Sequence, residues 1–243
     1  MFMKKITAFT VSLTLSFSLI STSLAPVSVE AAPVKEWIQI SESTSYYGEA
    51  ANGQPHGRGT IKWGNGKQYS GDFTNGKRTG NGKYINEYQV DGETHKVVYT
   101  GLWSNDKMDG EGILTHKVTL PDGSVRWNQI QKGTFQAGIF QNGYDVIHAI
   151  ADPDYSFTYK NGKESLVIMG SNQNMKKAWA TGTMFSVHYK NGTVNKKYSI
   201  FPANSAAEQR QNDAAIQYFK SIQTKVAPHL QQFEALSKQV PLK

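Results

Sequence analysis

Two aspartates in the segment ADPDYSF, Asp152 and Asp154, form the best cluster of carboxylates in this sequence for acid–base chemistry. A pair of carboxylates can serve as general acid and as base or nucleophile when a glycosidic bond is hydrolysed. The same Asp-Pro-Asp tripeptide is common in turns, and we favour that interpretation. A wall-glycan hydrolase, or another secreted enzyme that uses Asp152 or Asp154, is therefore kept only as an alternative function.

The other residue types that support catalysis or metal binding do not form a recognisable pattern. The six histidines are scattered along the 243-residue chain: His56, His95, His116, His148, His188 and His229. They show no helical ligand spacing, and the HExxH, G-x-S-x-G, P-loop and G-x-G-x-x-G motifs do not occur. The chain has no cysteine, which excludes disulfides, thiolate metal sites and a cysteine nucleophile. We predict no cofactor, no metal and no enzymatic activity.

Basic residues outnumber acidic ones and give a formal net charge of +7. Such an excess favours polyanionic partners, and two pairs of lysines near the C-terminus are the candidate binding patch: Lys176, Lys177, Lys196 and Lys197. The alternative is that these pairs only solvate one face of the C-terminal hairpins. The expected partner is an anionic cell-wall polymer, a lipid or an envelope protein. Nucleic acid is not expected, because the repeat described below accounts for the aromatic residues.

The N-terminus has the order of features of an export signal. A pair of lysines precedes an apolar stretch from residue 6 to about residue 25, and Val29 and Ala31 fit the small-x-small cleavage pattern. We predict a signal peptide at residues 1–31, cleavage near Ala31 and a secreted, extracellular or cell-wall-associated product of a Gram-positive bacterium. An uncleaved membrane anchor is the alternative.

A repeat occupies the middle of the chain. Its pattern is Tyr-x-Gly-x-aromatic-x-x-Gly-x-x-x-Gly-x-Gly, in units that begin near residues 46, 69, 99 and 131. The residues that define it are Tyr46, Gly48, Gly57, Gly59, Tyr69, Gly71, Phe73, Gly80, Gly82, Tyr99, Gly101, Trp103, Gly110, Gly112, Gly133 and Phe135. Alternate spacing places tyrosine, glycine and aromatic residue on one face of a strand, so each unit predicts two short strands joined by a turn.

The glycines of the first units are of two kinds. Some lie in turns, where we expect positive φ: Gly53, Gly64, Gly66 and Gly76. Others lie within strands, where we expect aromatic rings to cover the bare backbone: Gly48, Gly59, Gly71 and Gly82. The turns around residues 91–92 and 121–123 connect units that are spaced further apart, which predicts longer hairpins there.

With this pattern, residues 46–143 resemble the MORN repeat family, with departures at Ala50, Asp106 and Gln131. The resemblance implies a mainly β fold, a single-layer antiparallel MORN-type β-meander of stacked hairpins. It also implies a scaffold that attaches proteins to partners or membranes. We therefore expect a non-enzymatic interaction module at the cell envelope.

The C-terminal part departs from the repeat. Residues 144–204 predict further β-hairpins, with strands in YSFTY, ESLVIM, TGTMFSVHY and VNKKYSIF, which extend the sheet or fold over its end. Residues 205–240 predict an amphipathic helix that starts at a capping box, Ser205 to Glu208, and bends or breaks near Pro228. Its apolar stripe is expected to cover the sheet; helix-mediated assembly or a membrane-surface helix is the alternative.

Overall fold

The computed structural model describes residues 34–172 and 174–243, so the predicted signal peptide lies outside the described residues. In the described part, thirteen strands form one open antiparallel sheet in which neighbours in sequence are neighbours in space. The strands are β1 (Lys35–Ser41), β2 (Thr44–Ala51), β3 (Gln54–Trp63), β4 (Gln68–Thr74), β5 (Lys77–Val90), β6 (Glu93–Ser104), β7 (Lys107–Thr119), β8 (Val125–Gln136), β9 (Ile139–Ala149), β10 (Tyr155–Asn161), β11 (Glu164–Gly170), β12 (Ser186–Asn191) and β13 (Val194–Ser199). The predicted mainly β, single-layer meander is confirmed.

The sheet does not stop where the repeat signature fades. β9 (Ile139–Ala149) runs across the end of the repeat at residue 143, and β10 to β13 continue the same sheet as two hairpins, which confirms the first of the two arrangements expected for this region. The hairpins around residues 91–92 and 121–123 are long, as expected: β5 has 14 residues, whereas β4 has 7. The repeat half (β1 to β7) and the C-terminal half (β8 to the end of the described residues) are thus parts of one sheet.

Two elements were not predicted from the sequence. β1 pairs with β2 ahead of the first repeat unit. A short helix, α1 (Met175–Thr181), precedes the segment TGTMFSVHY, which was expected to be strand, and overlaps it at Thr181; β12 begins only at Ser186. The expected strand is wrong over residues 181–185, because Trp179 and Met184 are buried by packing against the C-terminal helices rather than by strand pairing.

The C-terminal helix is two helices, α2 (Ala206–Ser221) and α3 (Gln223–Ser237). The capping box is confirmed: Ser205 Oγ accepts the N–H of Glu208, and the Glu208 carboxylate accepts the N–H of Asn204 at 2.8 Å. The break is at Ile222, whereas Pro228 lies inside α3, so the expected position is wrong. Pro228 removes only the hydrogen bond to the carbonyl of Thr224, four residues earlier, so it is accommodated within α3 and does not set the break.

Tyrosine rings cover Gly59 and Gly82, as predicted. The expectation is wrong for Gly48 and Gly71, where the backbone of the neighbouring strand lies closest and a tyrosine contributes only its hydroxyl. The rings of Tyr46, Tyr69 and Tyr99 lie over the neighbouring strand where a Cβ on its glycine would stand. The glycines covered in this way are Gly59, Gly82 and Gly112. Each tyrosine is 0% exposed although none of the helices in the described residues lies over it, so the bare glycine is what allows the ring to pack on the sheet itself.

The turn glycines match the prediction with one exception. Gly53, Gly66 and Gly76 have φ of 71°, 81° and 78°, whereas Gly64 does not have positive φ. The expectation for Gly64 is wrong because its loop closes through a hydrogen bond of 2.9 Å from Trp63 N to Lys67 O and places only Gly66 in the left-handed region.

The two halves of the sheet bury opposite faces. In the repeat half, an aromatic cluster forms on one face around Tyr46, Tyr69 and Tyr99. In the C-terminal half, α1, α2 and α3 cover the other face, where Ile130, Val146, Phe157, Ile168 and Val187 are in register across β8 to β12. The expectation that the apolar stripe of the C-terminal helix covers the sheet is therefore confirmed.

Candidate functional site

A groove of about 720 Å³ lies between the last strand of the sheet, β13, and helix α2. Its lining residues are Asn195, Lys196, Lys197, Ala207, Arg210, Gln211, Ala214 and Ala215. Three of these side chains are cationic, two are amides and none is a carboxylate or an imidazole. We refer to this feature as the cationic groove.

Helix α2 supplies one wall of the cationic groove through residues on a single helical face. Ala207, Arg210, Gln211 and Ala214 are spaced by three or four residues, which places them next to one another along the helix. The alanines are too small to fill the gap between helix and strand, so the space beside them stays open. Arg210 and Gln211 then border that space with hydrogen-bond donors.

Strand β13 supplies the other wall. Lys196 pairs across the sheet with Tyr189, on the face that the helices cover, and its Nζ lies 5.9 Å from the centroid of the Tyr218 ring of α2. The aromatic ring holds the lysine stem against the helix while the side chain remains half-buried. The neighbouring Lys197 is exposed. β13 is also the last strand of the described sheet, so the cationic side chains lie beside a free sheet edge.

Helix α3, which follows α2, is held to the sheet by a polar network. Lys225 Nζ donates to Tyr189 Oη at 2.8 Å and lies 3.1 Å from Glu164 Oε1, and Tyr189 Oη donates to Glu164 at 2.7 Å. The hydrogen bond with Tyr189 and the one with Glu164 raise the pKa of Lys225. Desolvation raises the pKa of Glu164, but the hydrogen bonds from Tyr189 and Lys225 lower it by more, so this pKa lies below its ordinary value. These contacts position α3; they lie outside the lining of the cationic groove.

The structure separates the four predicted lysines. Lys196 and Lys197 line the cationic groove, whereas Lys176 and Lys177 lie exposed on α1 and do not line it. The expectation that all four lie on hairpins is wrong for the first pair, because that segment forms a helix. Arg210 and Gln211 were not predicted. Their helix was predicted, and its apolar stripe indicates the buried face, but the sequence does not show that this helix docks beside β13.

The carboxylates considered for catalysis lie in the connection between β9 and β10, as the turn interpretation predicts. Asp154 lies 3.6 Å from His148 Nε2, and the other nitrogen of that ring contacts the carbonyl of Val240 at 2.8 Å. This chain of contacts connects the C-terminal segment to the sheet. It gives Asp154 a structural explanation that needs no catalytic role.

Two histidines that are distant in sequence meet in the repeat half. His95 Nδ1 and His116 Nε2 are 3.0 Å apart across β6 and β7, and His95 stacks on Tyr88. Burial lowers the pKa of His116, with a further contribution from His95. In residues 34–172 and 174–243, no group of three or more His, Cys, Asp or Glu side chains is arranged to hold a metal ion. Over the same residues, no helix is long and apolar enough to cross a membrane.

Comparisons with known proteins identify the repeat. The family model for the MORN repeat matches residues 46–68, 69–86 and 99–117. Human Alsin is 41% identical over 76 residues, which are 31% of this chain and 4% of that protein. MORN repeat-containing protein 3 of Xenopus laevis is 44% identical over 68 residues, 28% of each chain. Human ALS2 C-terminal-like protein is 30% identical over 115 residues, 47% of this chain and 11% of that protein.

The chain therefore contains MORN repeats, and it spans only 4 to 28% of the length of these relatives. The unit near residue 131 and the cationic groove both lie outside the residues that the family model matches. Glutamine occupies the tyrosine position of that unit, and its amide donates to Asp145 at 2.9 Å instead of packing on a glycine.

Proposed function

We propose that this chain is a non-enzymatic interaction module of the cell envelope that binds an anionic polymer in the cationic groove. Proteins that carry MORN repeats are typically interaction or scaffold modules, and the repeat half fits that role. The single observation that carries the proposal is the grouping of Lys196, Lys197 and Arg210 along one groove that no carboxylate lines. The absence of acid–base groups among the lining residues supports binding rather than catalysis.

The ligand chemistry follows from the donors. Lysine and arginine give charge-assisted hydrogen bonds to phosphate or carboxylate, and the amides of Asn195 and Gln211 add neutral donors. A free strand edge beside them offers backbone groups as well. An extended anionic chain meets more of these donors at once than a single small anion does, so we favour a polymer.

Binding of polyphosphate to the full chain, measured by isothermal titration calorimetry over a salt series, tests the proposal. The triple variant Lys196→Gln, Lys197→Gln, Arg210→Gln should bind more than tenfold more weakly, because three charge-assisted contacts are lost. Added salt should weaken binding to the unaltered chain.

Lys176→Gln with Lys177→Gln is the matched control, since it removes two exposed lysines outside the cationic groove. We expect less than a twofold change. Equal losses in the control and the triple variant would assign binding to the general basic charge and contradict the groove. Purified cell walls and vesicles of phosphatidylglycerol serve as two further arms, which separate a wall polymer from a lipid surface as the source of the anion.

Export is part of the proposal and rests on residues 1–31 alone. The lysine pair, the apolar stretch and the small residues at Val29 and Ala31 support it. Expression in a Gram-positive host, followed by mass spectrometry of the culture medium and the cell wall, should find a chain that begins at residue 32. Recovery of the uncleaved chain from the membrane fraction would instead support the anchor.

A further inference from the structure

The repeat half presents a second surface, which differs in chemistry from the cationic groove. Trp37 of β1 and Tyr47 of β2 are direct cross-strand partners whose ring centroids are 4.9 Å apart at an interplanar angle of 34°. Trp37 is 76% exposed and Tyr47 is 43% exposed, whereas Tyr46 on the opposite face is 0% exposed. The pair is therefore not part of the aromatic core, and much of both rings is open to solvent.

Polar side chains surround this aromatic pair. A cavity of about 300 Å³ is lined by Trp37, Tyr47 and the following polar residues: Ser45, Thr60, Lys62 and Gln68. Thr60 and Ser70 share a hydrogen bond of 2.8 Å, and Gln68 donates to Ser70 at 3.4 Å, so the hydroxyls and the amide are held in place. Among the described residues, no carboxylate forms an ion pair with the exposed Lys62.

The cavity continues across the sheet. A second cavity, of about 580 Å³, shares Tyr47 and Thr60 with the first and extends over β3, β4 and β5. Strand glycines form part of its floor, and its charged lining residues are Lys35, Glu49, Arg58 and Asp72, of which the last two are 3.4 Å apart. Together the two cavities form a shallow trough, which we call the aromatic trough, with stacked rings at one end and hydrogen-bonding groups along its length.

Sugars match this combination of groups. A pyranose ring has C–H faces that pack on an aromatic ring, and hydroxyls at its edge that bond to hydroxyl, amide and ammonium groups. An apolar peptide would take water away from Lys62 and from the polar side chains of the trough without replacing it by new hydrogen bonds, at a cost in free energy. Lys62, which no described carboxylate neutralises, complements a negatively charged substituent on the sugar.

We propose that the aromatic trough binds an acidic polysaccharide, whose sugar rings stack on Trp37 and Tyr47 and whose carboxylates lie beside Lys62. This inference goes beyond the function proposed above and does not depend on the cationic groove. Ten strands separate β2 from β13, which is about 50 Å along the sheet at the usual strand spacing. The same chain can therefore hold the two ligands at once.

Titration of the full chain with polygalacturonate oligosaccharides tests this proposal, with isothermal titration calorimetry as the main readout and tryptophan fluorescence as the second. Trp37→Ala should weaken binding about tenfold, which corresponds to about 1.4 kcal/mol, and should remove the fluorescence change. Tyr47→Ala should also weaken binding, whereas Tyr47→Phe should bind like the unaltered chain because the ring remains. Phe201→Ala is the matched control, since Phe201 is also exposed (62%) but lies outside the trough.

Two further titrations are needed. The first separates the contribution of the sugar rings from that of their charge, and the second separates binding in the aromatic trough from binding in the cationic groove. Lys62→Gln should weaken binding of polygalacturonate and leave binding of a neutral chitin oligosaccharide unchanged. Polyphosphate, which has no sugar ring, should bind Trp37→Ala as it binds the unaltered chain. The proposal is overturned if the unaltered chain binds neither oligosaccharide at millimolar concentration. It is also overturned if Trp37→Ala and Tyr47→Ala bind polygalacturonate normally, in which case the pair only stabilises the edge hairpin.

Discussion

The repeat half and the C-terminal half share one sheet but bury opposite faces of it. In the repeat half, tyrosines pack over glycines of the next strand, so one layer makes its own core. In the C-terminal half, the core residues lie on the other face and require three helices to cover them. The change occurs between β7 and β8, where Leu114 pairs with Gln131 and Thr115 pairs with Ile130.

This difference decides which surfaces are free. In the part of the chain that the structure describes, the tyrosines are buried on one face without a covering helix, and the other face of β1 to β5 carries the aromatic trough. In the C-terminal half the helices occupy that face, and the free surface is the gap between α2 and the sheet edge. A single-layer core thus yields an open platform, whereas a helix-covered core yields a groove at its border.

The largest expected effect comes from the helix-covered core. Phe233 of α3 is 0% exposed, and its ring centroid lies 5.3 Å from that of Phe157 and 5.6 Å from that of Tyr144. Phe233→Ala should lower the free energy of unfolding by about 4 kcal/mol, measured by urea denaturation, because a large cavity opens between helix and sheet. Phe201→Ala, at an exposed phenylalanine, should cost less than about 1 kcal/mol. Similar losses for both would show that the helices do not form the core.

A smaller loss is expected when the single-layer core is disturbed. A Cβ at Gly82 would meet the ring of Tyr69, so Gly82→Ala should destabilise the chain by about 2 kcal/mol through overpacking. Gly53 is the control: its φ is 71° and no atom lies within 4 Å of its Cβ position, so Gly53→Ala should cost about 1 kcal/mol from backbone strain alone. Thermal unfolding of both variants gives the comparison. Equal losses would mean that ring packing on glycine adds nothing.

The sequence predicts the repeat half well because its contacts are local. Tyr69 and Gly82 are separated by one hairpin, so the spacing in the sequence is almost the spacing in space. The strand and turn assignments from residue 46 to 143 follow from that periodicity. β1 precedes the first unit and carries no repeat residue, so it could not be recognised in the same way.

The candidate sites are harder to predict because they depend on pairing and docking. His95 and His116 meet through the register of two long strands, which residue spacing alone does not determine. Arg210 reaches the cationic groove only because α2 docks beside β13. The position of α2 depends in turn on where its apolar stripe packs in the core. The lysine pairs illustrate the same limit: both are visible in the sequence, but only the pair on β13 lines a groove.

The cap of α2 contributes to the helix-covered core of the C-terminal half. Ser205→Ala removes the side chain that accepts the Glu208 N–H and should lower the free energy of unfolding by about 1 kcal/mol, measured by urea denaturation. Ser43→Ala, in the exposed β1–β2 turn, is the control and should change stability by less than about 0.5 kcal/mol. Polyphosphate affinity should also fall slightly in the first variant, because the cap orders the helix that carries Arg210. A loss in the control as large as in Ser205→Ala would contradict the role of the cap.

The smallest expected effect is that of pH on the free energy of unfolding. Each half of the sheet contains one half-buried histidine whose pKa is lowered, so the two halves can be compared. His229 of α3 contacts Tyr144 Oη at 2.9 Å and stacks on Tyr159, and the charges near it are those of Glu164 and Lys225. Burial lowers its pKa; Glu164 opposes this shift and Lys225 adds to it. His116 in the repeat half has its pKa lowered by burial and by His95.

A folded-state pKa below the unfolded value of about 6.5 means that the unfolded chain binds more protons as the pH falls. Stability should therefore be unaffected by these groups well above that value. It should then decrease as the pH falls through it, and stop decreasing below the folded-state pKa. Urea midpoints measured between pH 8 and pH 5 should follow this curve. His229→Gln keeps a polar side chain but does not titrate, so it should flatten the curve, and His116→Gln should flatten it separately. If neither variant changes the dependence of the urea midpoint on pH, other residues take up the protons, and the prediction for the two histidines is wrong.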